Sequence, residues 1–291
     1  MDASPGKVLR DLVEDSTIQV PGAPNALMAR LIERMDFDAV YLSGAALSAG
    51  VLGLPDAGLF TLTELAQQTA YITRNVDLPL IVDADTGFGE GLVIERAVAE
   101  LEAAGAAAIQ LEDRQLTCRG ERLSGKSLFD VETMCGKLRT ASQARWDDHL
   151  VIIGRTDART AEGFEGAVER AQRYLAAGAD WIFAEALTTR EELARFAEIV
   201  DAPLVANMTE FGGSPLLTLE ELADMGYAAV LYPVTLLRVT MKAAEAALAV
   251  LAAEGTQKDL LDLMQTREEL SDLLDHEQFE ERDRAYFSEE N

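Results

Sequence analysis

Apolar residues fall into eight short runs between residues 17 and 232: 17–20 (TIQV), 39–43 (AVYLS), 79–82 (PLIV), 107–111 (AAIQL), 151–154 (VIIG), 181–184 (WIFA), 203–206 (PLVA) and 229–232 (AVLY). Runs of this length and composition read as β-strands. Most are separated by segments with apolar residues at helical spacing, such as 92–104 and 164–177. Gly105, Gly178 and Gly226 stand where such helices would end, in the position that favours glycine. Eight strand–helix units predict an α/β fold of the (β/α)8 TIM-barrel type. An open doubly wound sheet is the alternative, but no Gly-rich dinucleotide fingerprint follows the first run. No low-complexity stretch or Pro/Gly/Ser-rich linker divides the chain, so residues 1–291 are expected to form one domain. Beyond the eighth run, 240–253 and 257–275 look helical and the rest is charged. A helical tail from about 240 has little to cover on a closed barrel. It is expected to pack on a neighbouring subunit, which makes the protein a homo-oligomer.

Composition narrows the function classes. The chain is 48% hydrophobic, in keeping with a well-buried core. No apolar run approaches the ~20 residues of a membrane span, and the polar N-terminus lacks the plan of a signal peptide. Cys118 and Cys135 are too few for a disulfide framework. A cytoplasmic protein with no membrane partner is expected. The net charge of −26 argues against nucleic-acid binding, because phosphate would be repelled. Acids are spread along the whole chain and lysine is scarce, which suggests a halophilic host where salt screens self-repulsion.

The most informative stretch is Ile81–Gly89 (IVDADTGFG). Alternation sends Asp83 and Asp85 to the same face at the end of the third strand. Two like charges so close repel unless a cation or a donor cluster lies between them. A divalent metal is one reading. The other is structural, with one acid capping the next helix and its neighbour salt-bridged.

In a barrel, catalytic groups gather at the C-terminal ends of the strands. Those ends carry Tyr41-Leu-Ser43-Gly44-Ala45, Asp83 and Asp85, Glu112-Asp113, Arg155-Thr-Asp157, Glu185, Asn207-Met-Thr-Glu210 and Tyr232-Pro233. Acids from four strands converge on one rim, with an arginine and an asparagine beside them. Hard carboxylates favour Mg²⁺ or Mn²⁺ over zinc. The two histidines, His149 and His276, lie away from these ends and read as surface residues. Arg155 could clamp a substrate carboxylate through two parallel hydrogen bonds. Ser43-Gly44-Ala45 has the small residues that let backbone N–H groups approach an anion, or it is simply a tight turn. Together these parts suit a small di- or tricarboxylate substrate chelated to magnesium.

These residues resemble the isocitrate lyase and phosphoenolpyruvate mutase superfamily over nearly the whole chain. The resemblance is carried by YLSGAALSAGVLGLPD (41–56), VDADTGFG (82–89), IQLED (109–113), GRTDA (154–158), FAEA (183–186), ANMTEFG (206–212) and VLYP (230–233). TEFG and the GTQ (255–257) and MQTREEL (264–270) segments point to the methylisocitrate lyase branch. The resemblance implies a barrel with a helix exchanged between subunits, usually in a tetramer. It implies Mg²⁺ near Asp85, with Asp56, Asp83 and Glu112 contributing directly or through water. Ser43, Gly44 and Ala45 would bind the α-keto acid product. Arg155, Glu185 and Asn207 would complete the pocket, and Tyr41 would sit near the reacting carbons.

One segment departs from the pattern. The family's lyases carry, after the fourth strand, a loop of pattern Lys-Lys/Arg-Cys-Gly-His whose Cys is the acid–base group. A gap-free match puts Gly120 in place of that Cys and Arg122 in place of the His, with Cys118 two positions early. Losing a general acid costs about 10²–10⁴-fold in rate. Three readings follow. One is a methylisocitrate-type carbon–carbon lyase whose remodelled loop uses Cys118 or another acid. The second is an oxaloacetate decarboxylase or related α-keto acid enzyme on the same metal site. The third is a catalytically silent carboxylate-binding homologue.

Overall fold

Why the eight apolar runs become strands is visible in what each covers. The computed structural model, which describes residues 3–115 and 127–288, places them as one parallel ladder in the order β2 to β8 and then β1. In chain order the elements are α1 (Pro5–Asp15), β1 (Ile18–Pro21), α2 (Ala26–Arg34), β2 (Val40–Leu42), α3 (Gly44–Leu47), α4 (Leu62–Thr73), β3 (Leu80–Asp83), α5 (Leu92–Ala103) and β4 (Ala108–Glu112). There follow α6 (Val131–Ala144), β5 (Val151–Thr156), α7 (Ala158–Ala176), β6 (Trp181–Ala184), α8 (Arg190–Ile199), β7 (Leu204–Asn207), α9 (Leu219–Asp224) and β8 (Ala229–Tyr232). This is the expected (β/α)8 architecture. Gly105, Gly178 and Gly226 have φ of 94°, 107° and 89°, the left-handed geometry expected of residues that end helices. The helix read over 164–177 starts earlier, at Ala158, with Gly163 at φ 82° marking a kink.

Every strand is buried on both faces, as parallel sheets require. Inward residues such as Ile18, Val20, Ile81, Ile153, Trp181 and Val205 fill the barrel, and Leu9 of α1 joins them. Outward residues such as Val40, Leu80, Val82, Ile109, Ile152 and Val230 pack under the helical layer. The ring closes between β1 and β2 at one bridge, Gly22 with Tyr41, where the Ala23 N–H donates to the Tyr41 carbonyl at 2.9 Å. A Cβ on Gly22 would overlap the Pro233 carbonyl, so the closure depends on glycine.

The tail differs from expectation. Its first helix, α10 (Thr235–Glu254), begins before 240 and buries none of its residues. The 257–275 segment is not one helix. It divides into a 3₁₀ turn (Lys258–Leu263) and α11 (Arg267–Leu273), followed by α12 (His276–Ser288). The division arises because Thr266 and Glu269 form a capping box that starts a new helix, and Asp275 at φ 52° ends the turn after it. Part of this tail covers its own barrel rather than a neighbour. Arg30 of α2 donates to the Leu273 carbonyl at 3.1 Å and pairs with Asp275 at 2.6 Å, while Arg34 pairs with Asp272.

Candidate active site

Strand parity decides which side chains reach the mouth. Tyr41, Asp83, Glu112, Arg155, Glu185 and Asn207 each lie an even number of residues from an inward-facing apolar residue on the same strand. All of them line one cavity of about 240 Å³. Ser43, Ala45, Asp56 and Asp85 line it too. Odd parity sends Asp113 the other way. Its carboxylate is fully buried and accepts from the Thr156 hydroxyl (2.7 Å), the Tyr174 hydroxyl (2.7 Å), the Asp157 N–H (2.8 Å) and Arg170 (3.3 Å). Of the rim acids expected from the sequence, Asp113 is therefore structural.

Asp83, the last residue of β3, and Asp85, which lies in the loop after it rather than on the strand, are partnered unequally. The Asp83 carboxylate accepts from the Gly44 N–H (3.1 Å), the Asp85 N–H (3.2 Å) and the Gln110 amide (3.1 Å). Gln110 in turn accepts the Tyr41 hydroxyl proton at 3.0 Å. The Asp85 carboxylate, 7% exposed, accepts no hydrogen bond among the described residues. Burial, and then Asp83, Glu112 and Asp56, push it up to about 9. Neither acid caps the next helix, α5, which starts from Gly91 without a side-chain cap. The structural alternative for the pair fails on that point.

Glu112 is pushed up to about 7, by burial first, against the opposing pull of Arg155. Burial raises Tyr41 far above an ordinary phenol, helped by Asp83, so this hydroxyl keeps its proton. Among the described residues, five acids and three arginines line the cavity, a formal charge of −2 when all are ionised. An unpartnered buried carboxylate in a −2 pocket fits a divalent cation. Among the described residues, no three metal-binding side chains converge closely enough to enclose an ion by themselves. Mg²⁺ usually takes one or two carboxylates and keeps several waters.

Two of the expected binding groups have partners within the protein. Arg155 is not a free clamp: it donates to both oxygens of Asp157 (3.0 and 3.3 Å) and lies 3.3 Å from Glu112 and 3.6 Å from Glu185. Burial favours the neutral guanidine, but these acids outweigh it and hold Arg155 charged. The Gly44 N–H is likewise engaged, by Asp83, while Ser43 caps α3 by accepting from the Ala46 N–H at 3.4 Å. Cys118, Gly120 and Arg122 lie outside the described residues.

Sequence reasoning missed Arg114, Thr209 and Arg238, which also line the cavity. Arg114 pairs with Glu112 at 3.0 Å, and its place one residue beyond the LED motif was the available signal. Arg238 arrives from α10, where it pairs with Glu210 at 3.0 Å, and no strand-end pattern marks it. His149 and His276 are far from the cavity, as expected, with His276 beside Glu280.

Comparison with known proteins agrees with this geometry. The phosphoenolpyruvate phosphomutase family profile matches residues 9–252. A 2-methylisocitrate lyase of Aeropyrum pernix is 53% identical over 96% of this chain and 90% of its own. The crystal structure of 2,3-dimethylmalate lyase superimposes with a TM-score of 0.90 at 31% identity, covering 99% of this chain and 97% of that one. Oxaloacetate acetylhydrolase, solved with 3,3-difluorooxalacetate, gives a TM-score of 0.90 at 30% identity over 97% of each chain. An acid-lined mouth on a (β/α)8 barrel and these full-length likenesses lead to one assignment: the chain belongs to the phosphoenolpyruvate mutase/isocitrate lyase superfamily.

Proposed function

We propose that this protein is a Mg²⁺-dependent carbon–carbon lyase that cleaves 2-methylisocitrate to pyruvate and succinate. The observation that carries the reading is Asp85, a buried carboxylate without a donor among the described residues, in the acidic mouth of a chain similar end to end to 2-methylisocitrate lyases. Asp85 holds the ion, with Asp83, Glu112 and Asp56 reaching it directly or through water. Mn²⁺ suits the same oxygen ligands. When bound, the metal supplies Lewis-acid stabilisation of negative charge on the pyruvate side.

The protein's own groups do the rest. Ser43 and Ala45 flank that half of the substrate, while Gly44 serves indirectly by fixing Asp83. Asn207 donates to Glu185 Oε2 at 3.0 Å and accepts from Thr209 at 2.9 Å, and Glu185 Oε1, with no donor among the described residues, accepts the substrate's hydroxyl proton. Arg114, Arg155 and Arg238 all line the cavity, each already paired with an acid, and supply the positive charge for the substrate's remaining carboxylates. Arg155 lies between Glu112 (3.3 Å) and Glu185 (3.6 Å) and offsets part of the repulsion between them. Tyr41, protonated and buried, contributes a fixed polar wall near the reacting carbons.

A second reading rests on Gly120, at the position of the family's acid–base Cys. Without that acid, the metal half of the site serves cleavage of oxaloacetate or a related α-keto acid. Both readings are of a single-domain cytoplasmic enzyme that binds a small carboxylate, neither nucleic acid nor membrane. No described helix is long and apolar enough to cross a membrane. The exposed α10 and the apolar groove of Leu31, Ile32, Met35, Phe37, Tyr232 and Leu236 beside it support exchange of this helix within a homotetramer.

Purified protein in high salt with Mg²⁺ is given 2-methylisocitrate, isocitrate and oxaloacetate, and pyruvate or glyoxylate is measured. Succinate and pyruvate from 2-methylisocitrate are expected, and their loss in Cys118→Ala would assign the acid. Pyruvate from oxaloacetate alone overturns the lyase reading in favour of the second. Mg²⁺-dependent binding without turnover of any of the three overturns both.

A further inference from the structure

Lys137 of α6 is a buried lysine for which the reaction has no use. It is 3% exposed, and its ammonium donates to the carbonyls of Thr86 (2.8 Å) and Gly89 (2.9 Å). The Phe129 ring lies 4.2 Å away, so the charge is met by two backbone dipoles and an aromatic face. Burial pulls its pKa down, with Glu90 acting the other way. A long, flexible, charged side chain is seldom buried unless it is paired.

What it grips is the β3–α5 loop, the segment that carries Asp85. This loop holds four residues at positive φ: Asp85 (46°), Gly87 (81°), Phe88 (63°) and Gly91 (52°). The two that are not glycine cost of order 1 kcal/mol each and persist only where surroundings over-determine them. Upstream, the Glu112 N–H donates to the Asp85 carbonyl at 2.8 Å. Downstream, the corresponding restraint is Lys137, on either side of the Gly87–Phe88 turn. Lys137 and Asp85 also share the wall of a second cavity of about 390 Å³ beside the active-site mouth.

We infer that Lys137 is a positioning residue for the metal site: it clamps the β3–α5 loop in its left-handed path and so fixes the Asp85 carboxylate. This rests on the metal-dependent reading above. Supporting residues around a metal typically contribute about 10–100-fold in affinity. The test is direct binding of Mn²⁺ to the full chain by electron paramagnetic resonance, with competition by Mg²⁺. Thermal melting of the metal-free protein is followed in parallel.

Wild type that binds no metal sinks the metal-dependent reading itself. Given wild-type binding, Lys137→Met is expected to raise the dissociation constant at least about tenfold, with Lys137→Arg within about threefold of wild type. A Met variant that melts earlier yet binds Mn²⁺ as wild type does overturns the inference, because its role is then stability alone. Should the Met variant fail to fold, Lys137→Gln replaces it, since its shorter amide can serve only one of the two carbonyls. An increase of about threefold or more is expected there, and wild-type affinity again overturns the inference.

Discussion

Binding of Mg²⁺ is expected to expel protons, and the structure sets how many. In the metal-free protein Asp85 is pushed up to about 9, by burial and then by its acidic neighbours, and Glu112 up to about 7, by burial. Near pH 7, Asp85 is therefore protonated and Glu112 about half so. Ligation needs carboxylates, so saturation with Mg²⁺ releases between one and two protons. Apparent affinity should then rise roughly 10- to 30-fold per pH unit around neutrality.

The same shifts govern stability. Both acids have folded-state pKa values above their unfolded ones, so the metal-free fold binds more protons than the unfolded chain. The contribution of these two acids to stability is greatest below the unfolded value of about 4 and is lost as pH rises through about 7 and about 9, opposite in sign to that of acids held low by their donors, such as Glu162 and Glu192. Calorimetric titration of metal-free protein with MgCl2, in buffers of low and high ionisation enthalpy, counts the protons as the slope of heat against that enthalpy. Clear binding with zero slope would refute the argument, because it would mean that both carboxylates are already ionised without the metal.

Other consequences follow from particular contacts. Asp113→Ala strips four donors of their acceptor, including Arg170, and should cost about 3–5 kcal/mol. At ~2.1 cal/mol/K per residue over this chain, that lowers Tm by about 5–8 °C, measurable by calorimetry. Gly22→Ala forces a methyl group into the Pro233 backbone at the barrel's closure and should cost about 3 kcal/mol, or about 5 °C in Tm. An unchanged melt would mean that the ring closes elsewhere. Gly120→Cys with Arg122→His should raise 2-methylisocitrate cleavage by about 10²–10⁴-fold if the loop lacks only its acid. No gain would show the gap-free match to be wrong. With a net charge of −26, Tm should climb as KCl goes from about 0.1 M to about 2 M, and a flat profile would count against a halophilic origin.

Much of this molecule is written in short-range pattern. The eight apolar runs located the eight strands to within a residue or two at either end, because a strand buried on both faces must be apolar throughout. Alternation along a strand sends Asp83 into the mouth, but Asp85 lies past the end of β3 at φ 46° and reaches the same cavity from the loop, which alternation does not foretell. The tail was less legible. The break at Thr266 depends on a capping box, a local signal, but docking of α11 on α2 depends on Arg30 and Arg34 meeting residues more than two hundred positions away.

The sequence by itself determined the barrel, the rim on which the acids gather, and the family. Only the tertiary structure decided what each charge is for. Glu112 and Asp113 are neighbours in the chain, yet one faces the cavity and the other anchors Arg170 in the helical layer. Arg155 has the chemistry of a substrate clamp, yet Asp157 holds its fork, and Arg238 arrives from α10 to line the same cavity. Alternation and periodicity are properties of adjacent residues, so they can be read along the chain. Which carboxylate wins a guanidinium, and which acid is turned into the helical layer instead, is a competition among groups brought together only when the ring closes.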